Sequence, residues 1–237
     1  VMDRRIFAVV MLMLLAAPFV VMASDDVDAE ASSSTASLKP SDIGEDTKVV
    51  ASGTCGTAIG AAKWSYFRSE SSSLTISDGS VDLSKNWKIE KLTIGETEAT
   101  AADIAGFTMS DILTSRVALT VNGSVSATAG AINSLNPTSA TVNGTSVPGS
   151  FFSNCVYLTT VKLADTVASI GAQAFSNCTL LTSFDVNKAA VDQTAFKGCT
   201  RLTEFKVASG SNYTVVNGML HSDNGATLYL SPTGKAG

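Results

Sequence analysis

The residues with the most chemistry open to them in this sequence are four cysteines and a single histidine. Cys155, Cys178 and Cys199 are spaced 23 and 21 residues apart. Several cysteines in an exported chain ordinarily raise a disulfide framework, and zinc sites use closely paired ligands such as C-x2-C. Recurrence at one interval argues instead for a buried structural column in which each thiol fills the same slot as a small apolar side chain. Cys55 has no evident partner. His221 adjoins Asp223-Asn224-Gly225, where an exposed loop position is expected rather than a base or metal ligand. A catalytic triad is recognised by geometry, and one histidine without a nucleophile motif does not make one. Phosphate-binding glycine loops and dinucleotide fingerprints are missing too. The sequence therefore predicts no catalytic residue, metal or cofactor.

N-x-[ST] sequons start at Asn122, Asn143, Asn177 and Asn212. Asn122, Asn143 and Asn212 are the glycosylation candidates if the chain meets the modifying enzymes. Asn177 is disfavoured because it adjoins Cys178. Asparagine as a turn former is the competing reading for all four.

The element that positions these residues is a repeat. Phe152-x2-Cys155-x2-Leu158-x2-Val161-x-Leu163 recurs as Phe175-x2-Cys178-x2-Leu181-x2-Phe184-x-Val186 and as Phe196-x2-Cys199-x2-Leu202-x2-Phe205-x-Val207. The interval lies in the leucine-rich-repeat range. Each unit predicts one short strand whose alternation turns apolar residues inward and the others outward. The outward set, Thr160, Lys162, Ser183, Asp185, Glu204 and Lys206, is the candidate ligand-binding face, with Thr120, Asn122, Thr141 and Asn143 on weaker rungs. Strands about 4.8 Å apart would set Lys162, Asp185 and Lys206 in an alternating charge column.

Counting back from Leu163 gives Val142 and Val121, each 21 residues earlier, then Ile94 after a step of 27, with Leu74 and Ile76 before it. The matching pentapeptides Thr120-Val121-Asn122-Gly123-Ser124 and Thr141-Val142-Asn143-Gly144-Thr145 share that phase. Between Glu96 and Val117, Ile104, Phe107, Met109, Ile112 and Leu113 suit a short helix or a degenerate turn segment. Asp223-Asn224-Gly225 predicts a hairpin between residues 213–220 and 227–230. Leu230, 23 residues beyond Val207, could also serve as a further rung. The sequence stops at Gly237 with no capping unit, as expected of a piece of a longer protein.

Arg4 and Arg5 precede an uncharged run from Ile6 to Ala23, the pattern of a secretory signal over 1–23, or of a membrane anchor if uncleaved. Residues 24–50, acidic and serine-rich, predict a disordered linker. Beyond it come an N-terminal β-rich cap-like segment (51–95), degenerate repeats (96–146) and clear repeats with a hairpin insertion (147–237). The formal net charge of -5 and the lack of a basic cluster past the signal argue against nucleic-acid binding.

Ile170-Gly171-Ala172-Gln173-Ala174-Phe175-Ser176-Asn177-Cys178-Thr179-Leu180-Leu181 resembles the core of BspA-like leucine-rich-repeat surface proteins. Thr194-Ala195-Phe196-Lys197-Gly198-Cys199 and Phe151-Phe152-Ser153-Asn154-Cys155 carry parts of it, and the resemblance covers about Val147 to Leu230. Ser52-Gly53-Thr54-Cys55-Gly56, Trp64 and Leu74-Thr75-Ile76 are similar to the segment that often precedes such arrays. The resemblance implies a right-handed solenoid with a parallel β-sheet on one face and irregular or short helical turns on the other. It also implies a secreted or cell-surface adhesin with an extracellular protein or glycan partner and no enzymatic activity. The alternative is a stalk or envelope role without a specific ligand.

Overall fold

The protein's structure, a computed structural model, describes residues 37–56, 59–69, 71–81, 87–114, 116–127 and 132–235. The expected signal segment and residues 24–36 of the expected linker lie outside the described residues. The rest of that linker is structured, which corrects the boundary at residue 50. Pro40–Asp42 forms a 3-10 turn and Leu38 and Ile43 pack on the core. The apolar pair gives the segment something to bury, which a fully polar linker lacks.

Five strands open the fold: β1 (Val49–Cys55), β2 (Ala62–Arg68), β3 (Ser73–Val81), β4 (Trp87–Ile94) and β5 (Thr97–Glu98). They lie in the order β5-β4-β1-β2-β3 with every pairing antiparallel. Period-2 alternation explains them: Trp64, Tyr66, Leu74 and Ile76 are buried while Lys63, Ser65 and Ser73 are exposed. The Trp64 indole N–H donates to the Thr54 and Lys88 carbonyls, 3.2 Å each. At Gly53, where the β1–β4 register shifts, a Cβ would lie 1.7 Å from the Lys88 oxygen, so only glycine fits.

A crossover leads from β5 to the far side of β3 through α1 (Ala101–Ile104) and α2 (Met109–Ile112). Thr100 with Asp103, and Thr108 with Asp111, form capping boxes. This segment buries Phe107 and Ile112, so the helical alternative holds between Glu96 and Val117.

Parallel pairing then takes over in β6 (Ala118–Ala127), β7 (Ser139–Asn143), β8 (Ser146–Val147), β9 (Thr160–Leu163), β10 (Ser169–Ile170), β11 (Ser183–Asp185), β12 (Ala190–Val191) and β13 (Glu204–Lys206). Strands β6, β7 and β9 add to β3 in one eight-stranded sheet, with Val121 opposite Val142 and Val142 opposite Leu163. The 21-residue phase is therefore a true register. The rung before Val121 is Ile76, not Ile94, which lies across the sheet in β4. β8, β10 and β12 form a second parallel sheet, and β11 pairs with β13 in a third.

Between the strands, the turn segments stack. Phe152, Phe175 and Phe196 are parallel rings, with centroids 5.1 and 5.4 Å apart. Asn154, Asn177 and Gly198 share one slot at positive φ (63°, 60° and 79°), the left-handed region that asparagine and glycine tolerate. Cys155, Cys178 and Cys199 are buried and free. The Cys178 thiol donates to the Phe152 carbonyl at 3.2 Å and the Cys199 thiol to that of Phe175 at 3.0 Å. The column is thus dry but hydrogen-bonded from rung to rung.

The C-terminal segment departs from the expected hairpin. β14 (Thr214–Val216), β15 (Met219–Ser222) and β16 (Thr227–Leu230) form an antiparallel sheet in that order. Asn217 and Gly218, both at positive φ, make a second tight turn within 213–220. Leu230 is not a further rung, because β16 pairs only with β15 among the described residues. The residues that follow β13 bond back onto the last rung. Phe205 N–H donates to the Gly218 carbonyl, the Thr233 hydroxyl to that of Cys199, and Gly234 N–H to that of Leu202.

Candidate functional site

The predicted outward residues share one face. Ser139 stands opposite Thr160 and Thr141 opposite Lys162. Ser183 stands opposite Glu204 and Asp185 opposite Lys206. Thr160, Lys162, Asp185 and Lys206 are exposed, while Ser183 and Glu204 are half-buried. The inward partners Phe184 and Phe205 are fully buried, as alternation requires. The face continues across Thr141, Thr120 and Thr75, and across Asn143, Asn122 and Ser77. Ser73, Thr75, Ser77 and Ser139 were missed as members. Their signal was the same alternation around Leu74 and Ile76.

The alternating charge column does not form as ion pairs. Lys206 bonds Glu204 on its own strand at 3.1 Å, and an Asp185 oxygen accepts the Asn187 N–H at 2.8 Å. Among the described residues no ion pair joins Lys162 to Asp185, because the two strands that carry them do not pair. The eight-stranded sheet ends on β9 and a new one begins at β11, while β8, β10 and β12 run unbroken past the same point. The link between Leu163 and Ile170 is two residues longer than those between Val142 and Val147 or Val186 and Val191. Strand positions therefore repeat at 23 across this step, whereas the Asn187 side chain reaches back only 22 residues to donate to Asp165 at 2.8 Å. The strand and the turn that follows it fall one residue out of phase, so the ladder cannot close.

The result is a cleft of about 270 Å³ lined by Val161, Lys162, Leu163, Asp185 and Asn187. Val161 remains half-buried where the next rungs place a buried Phe184 or Phe205, and Leu163 where the next rung places a buried Val186. Asn187, 8% exposed at φ 54°, leaves its Oδ1 buried without a hydrogen-bond partner. An unmet buried acceptor costs about 1–3 kcal/mol. None of this was visible in the repeat alignment, which set Asn187 outside the strand.

The other sequence candidates separate from this face. Burial pushes the Cys55 and Cys155 thiols up to about 12 and that of Cys199 to about 11. Burial, reinforced by Cys155 and Cys199 on either side, lifts Cys178 further still. Such thiols stay protonated, unlike nucleophiles or metal ligands. His221 is not an exposed loop residue: it lies in β15, half-buried, with both ring nitrogens shielded and unpartnered. Among the described residues no group of three or more His, Cys, Asp or Glu could hold a metal ion, and no helix is long and apolar enough to cross a membrane.

Of the sequon asparagines, Asn143 donates its Nδ2, the atom a glycan would occupy, to Asn122 at 3.0 Å. Asn177 is exposed despite its buried neighbour, and its Nδ2 donates to Asn154 at 2.9 Å. Asn122 is half-buried and Asn212 is exposed.

The family model of the BspA type leucine rich repeat region matches residues 131–223 in six copies. The match starts upstream of Val147 and takes in Val142. A crystal structure of a leucine rich cell surface protein from Faecalibacterium prausnitzii A2-165 is also similar. Its sequence is 17% identical, the TM-score is 0.39, and 73% of this chain and 59% of that one are covered. This chain thus spans less than two thirds of that protein. No curated protein matches.

Proposed function

We propose that this chain, whose residues 131–223 are a BspA-type leucine-rich-repeat region, is secreted or displayed at the cell surface and recognises an extracellular protein or glycan through its strand face, without catalysis. On this reading the repeats wind as a right-handed solenoid, the hand favoured by parallel crossovers, with the β1–β5 sheet covering its first rung. The observation that carries the proposal is the row of outward polar residues from Thr75 to Lys206, held on strands whose inward neighbours are buried or, on β9, half-buried. Repeat arrays present extended surfaces of this kind. Protonated thiols favour recognition over chemistry. Arg4 and Arg5 followed by the uncharged run from Ile6 to Ala23 support export.

The test is a solid-phase screen of the full chain against extracellular-matrix proteins and glycans. Lys162→Glu with Lys206→Glu is then compared with the exposed turn-side control Lys197→Glu. Binding should weaken only in the strand-face double variant. Equal loss in the control would place the site elsewhere, and a wild-type chain that binds nothing would favour a stalk.

A further inference from the structure

We infer that the break between β9 and β11 is a sugar-binding subsite that takes one neutral, hydroxyl-rich saccharide residue, a deepening that rests on the strand-face reading above. Asn187 lines the cleft, and its buried Oδ1 has no hydrogen-bond partner, so an occupant that reaches it would donate to it. Its own Nδ2 is fixed on Asp165 and its backbone N–H on Asp185, so the amide cannot turn to relieve that acceptor. The orientation of Oδ1 is therefore set before any ligand arrives.

The neighbouring groups narrow the ligand class. Asp185 spends one oxygen on Asn187 and leaves the other open as an acceptor, while Lys162 supplies donors. An occupant must both donate and accept within a small space, which adjacent hydroxyl groups do. A lone ammonium would meet Lys162, and a lone carboxylate would meet Asp185. Val161 and Leu163 offer an apolar wall for the C–H face of a ring. The cleft, at about 270 Å³, falls just under the range of about 300–1,000 Å³ for drug-sized ligands and suits a single sugar ring. No ladder crosses the gap, so a ligand can enter without displacing a backbone hydrogen bond between the two strands.

The experiment uses the full chain and a panel of free neutral hexoses and N-acetylhexosamines at millimolar concentration, followed by backbone amide NMR. At least one sugar should shift amides within 161–163 and 185–187 and leave those of 196–199 unmoved. Asp185→Asn keeps an acceptor for the Asn187 N–H but changes the open oxygen to a donor. Asn187→Gly removes Oδ1 at a positive-φ position that glycine accepts. Each should weaken the sugar by about tenfold or more, with the melting transition still cooperative. Shifts that persist unchanged in both variants, or no sugar shifting these amides, would overturn the subsite. If these variants keep full binding to the screened macromolecule while the Lys162/Lys206 reversal loses it, the subsite fails and the strand face stands.

Discussion

On the turn side of the repeats Phe152, Phe175 and Phe196 stack without interruption and the thiols bond from rung to rung, whereas on the strand side the ladder stops between β9 and β11. Both sides meet the same two extra residues in the Leu163–Ile170 link. The turn side absorbs them because rings and thiols packed face to face leave no room to slip. The strand side gives way because exposed polar residues lose little when a ladder opens. The buried column therefore fixes the repeat, and the strand face is free to vary.

The comparison breaks most directly at Phe175, stacked on both sides. Phe175→Ala should cost roughly 3–5 kcal/mol in chemical denaturation, whereas Thr160→Ala on the strand face should stay within about 0.5 kcal/mol. Similar losses from the two would remove the distinction. Next in size is Cys178→Ser. The shorter C–O bond draws the hydroxyl back from the Phe152 carbonyl that the thiol reaches at 3.2 Å, leaving a poorly met polar group at a cost of about 1–3 kcal/mol. Ser176→Ala should be nearly silent even though Ser176 is 8% exposed. Equal melting shifts for these two would contradict the column, as would mass spectrometry showing Cys178 in a disulfide.

A smaller effect follows from protonation. Each thiol's folded value lies above its ordinary 9.0, so its contribution is complete below about pH 9 and is lost as pH rises from there toward 11–12. Stability measured between pH 8 and 10.5 should fall less steeply in Cys199→Ala than in the wild type. An unchanged slope would mean that the thiols titrate freely when folded.

The parts of this architecture that a sequence reveals are those written at a constant interval. Val121, Val142 and Leu163 announce their register, and Cys155, Cys178 and Cys199 their column, because each parallel rung repeats the same burial. Ile94 misled the count because antiparallel pairing leaves no interval to read: Ile76, the true predecessor of Val121, is separated from it by β4 and the α1–α2 crossover. The C-terminal sheet is half legible, since Asp223-Asn224-Gly225 predicts its second turn whereas Asn217-Gly218, which makes its first, lies inside an apolar run. The cleft was illegible because it arises from a one-residue mismatch between strand and turn, and an alignment of strands alone hides it. Asn187 and Asp165 become site residues only when the two phases are compared in space.

The central claim, that recognition belongs to the strand face and folding to the turn side, is tested most directly by hydrogen exchange of the full chain with and without the matrix protein or glycan that the screen retains. The account predicts added protection in 160–163, 183–187 and 204–206, with 151–155, 174–178 and 195–199 unchanged. Protection confined to the second set would contradict it.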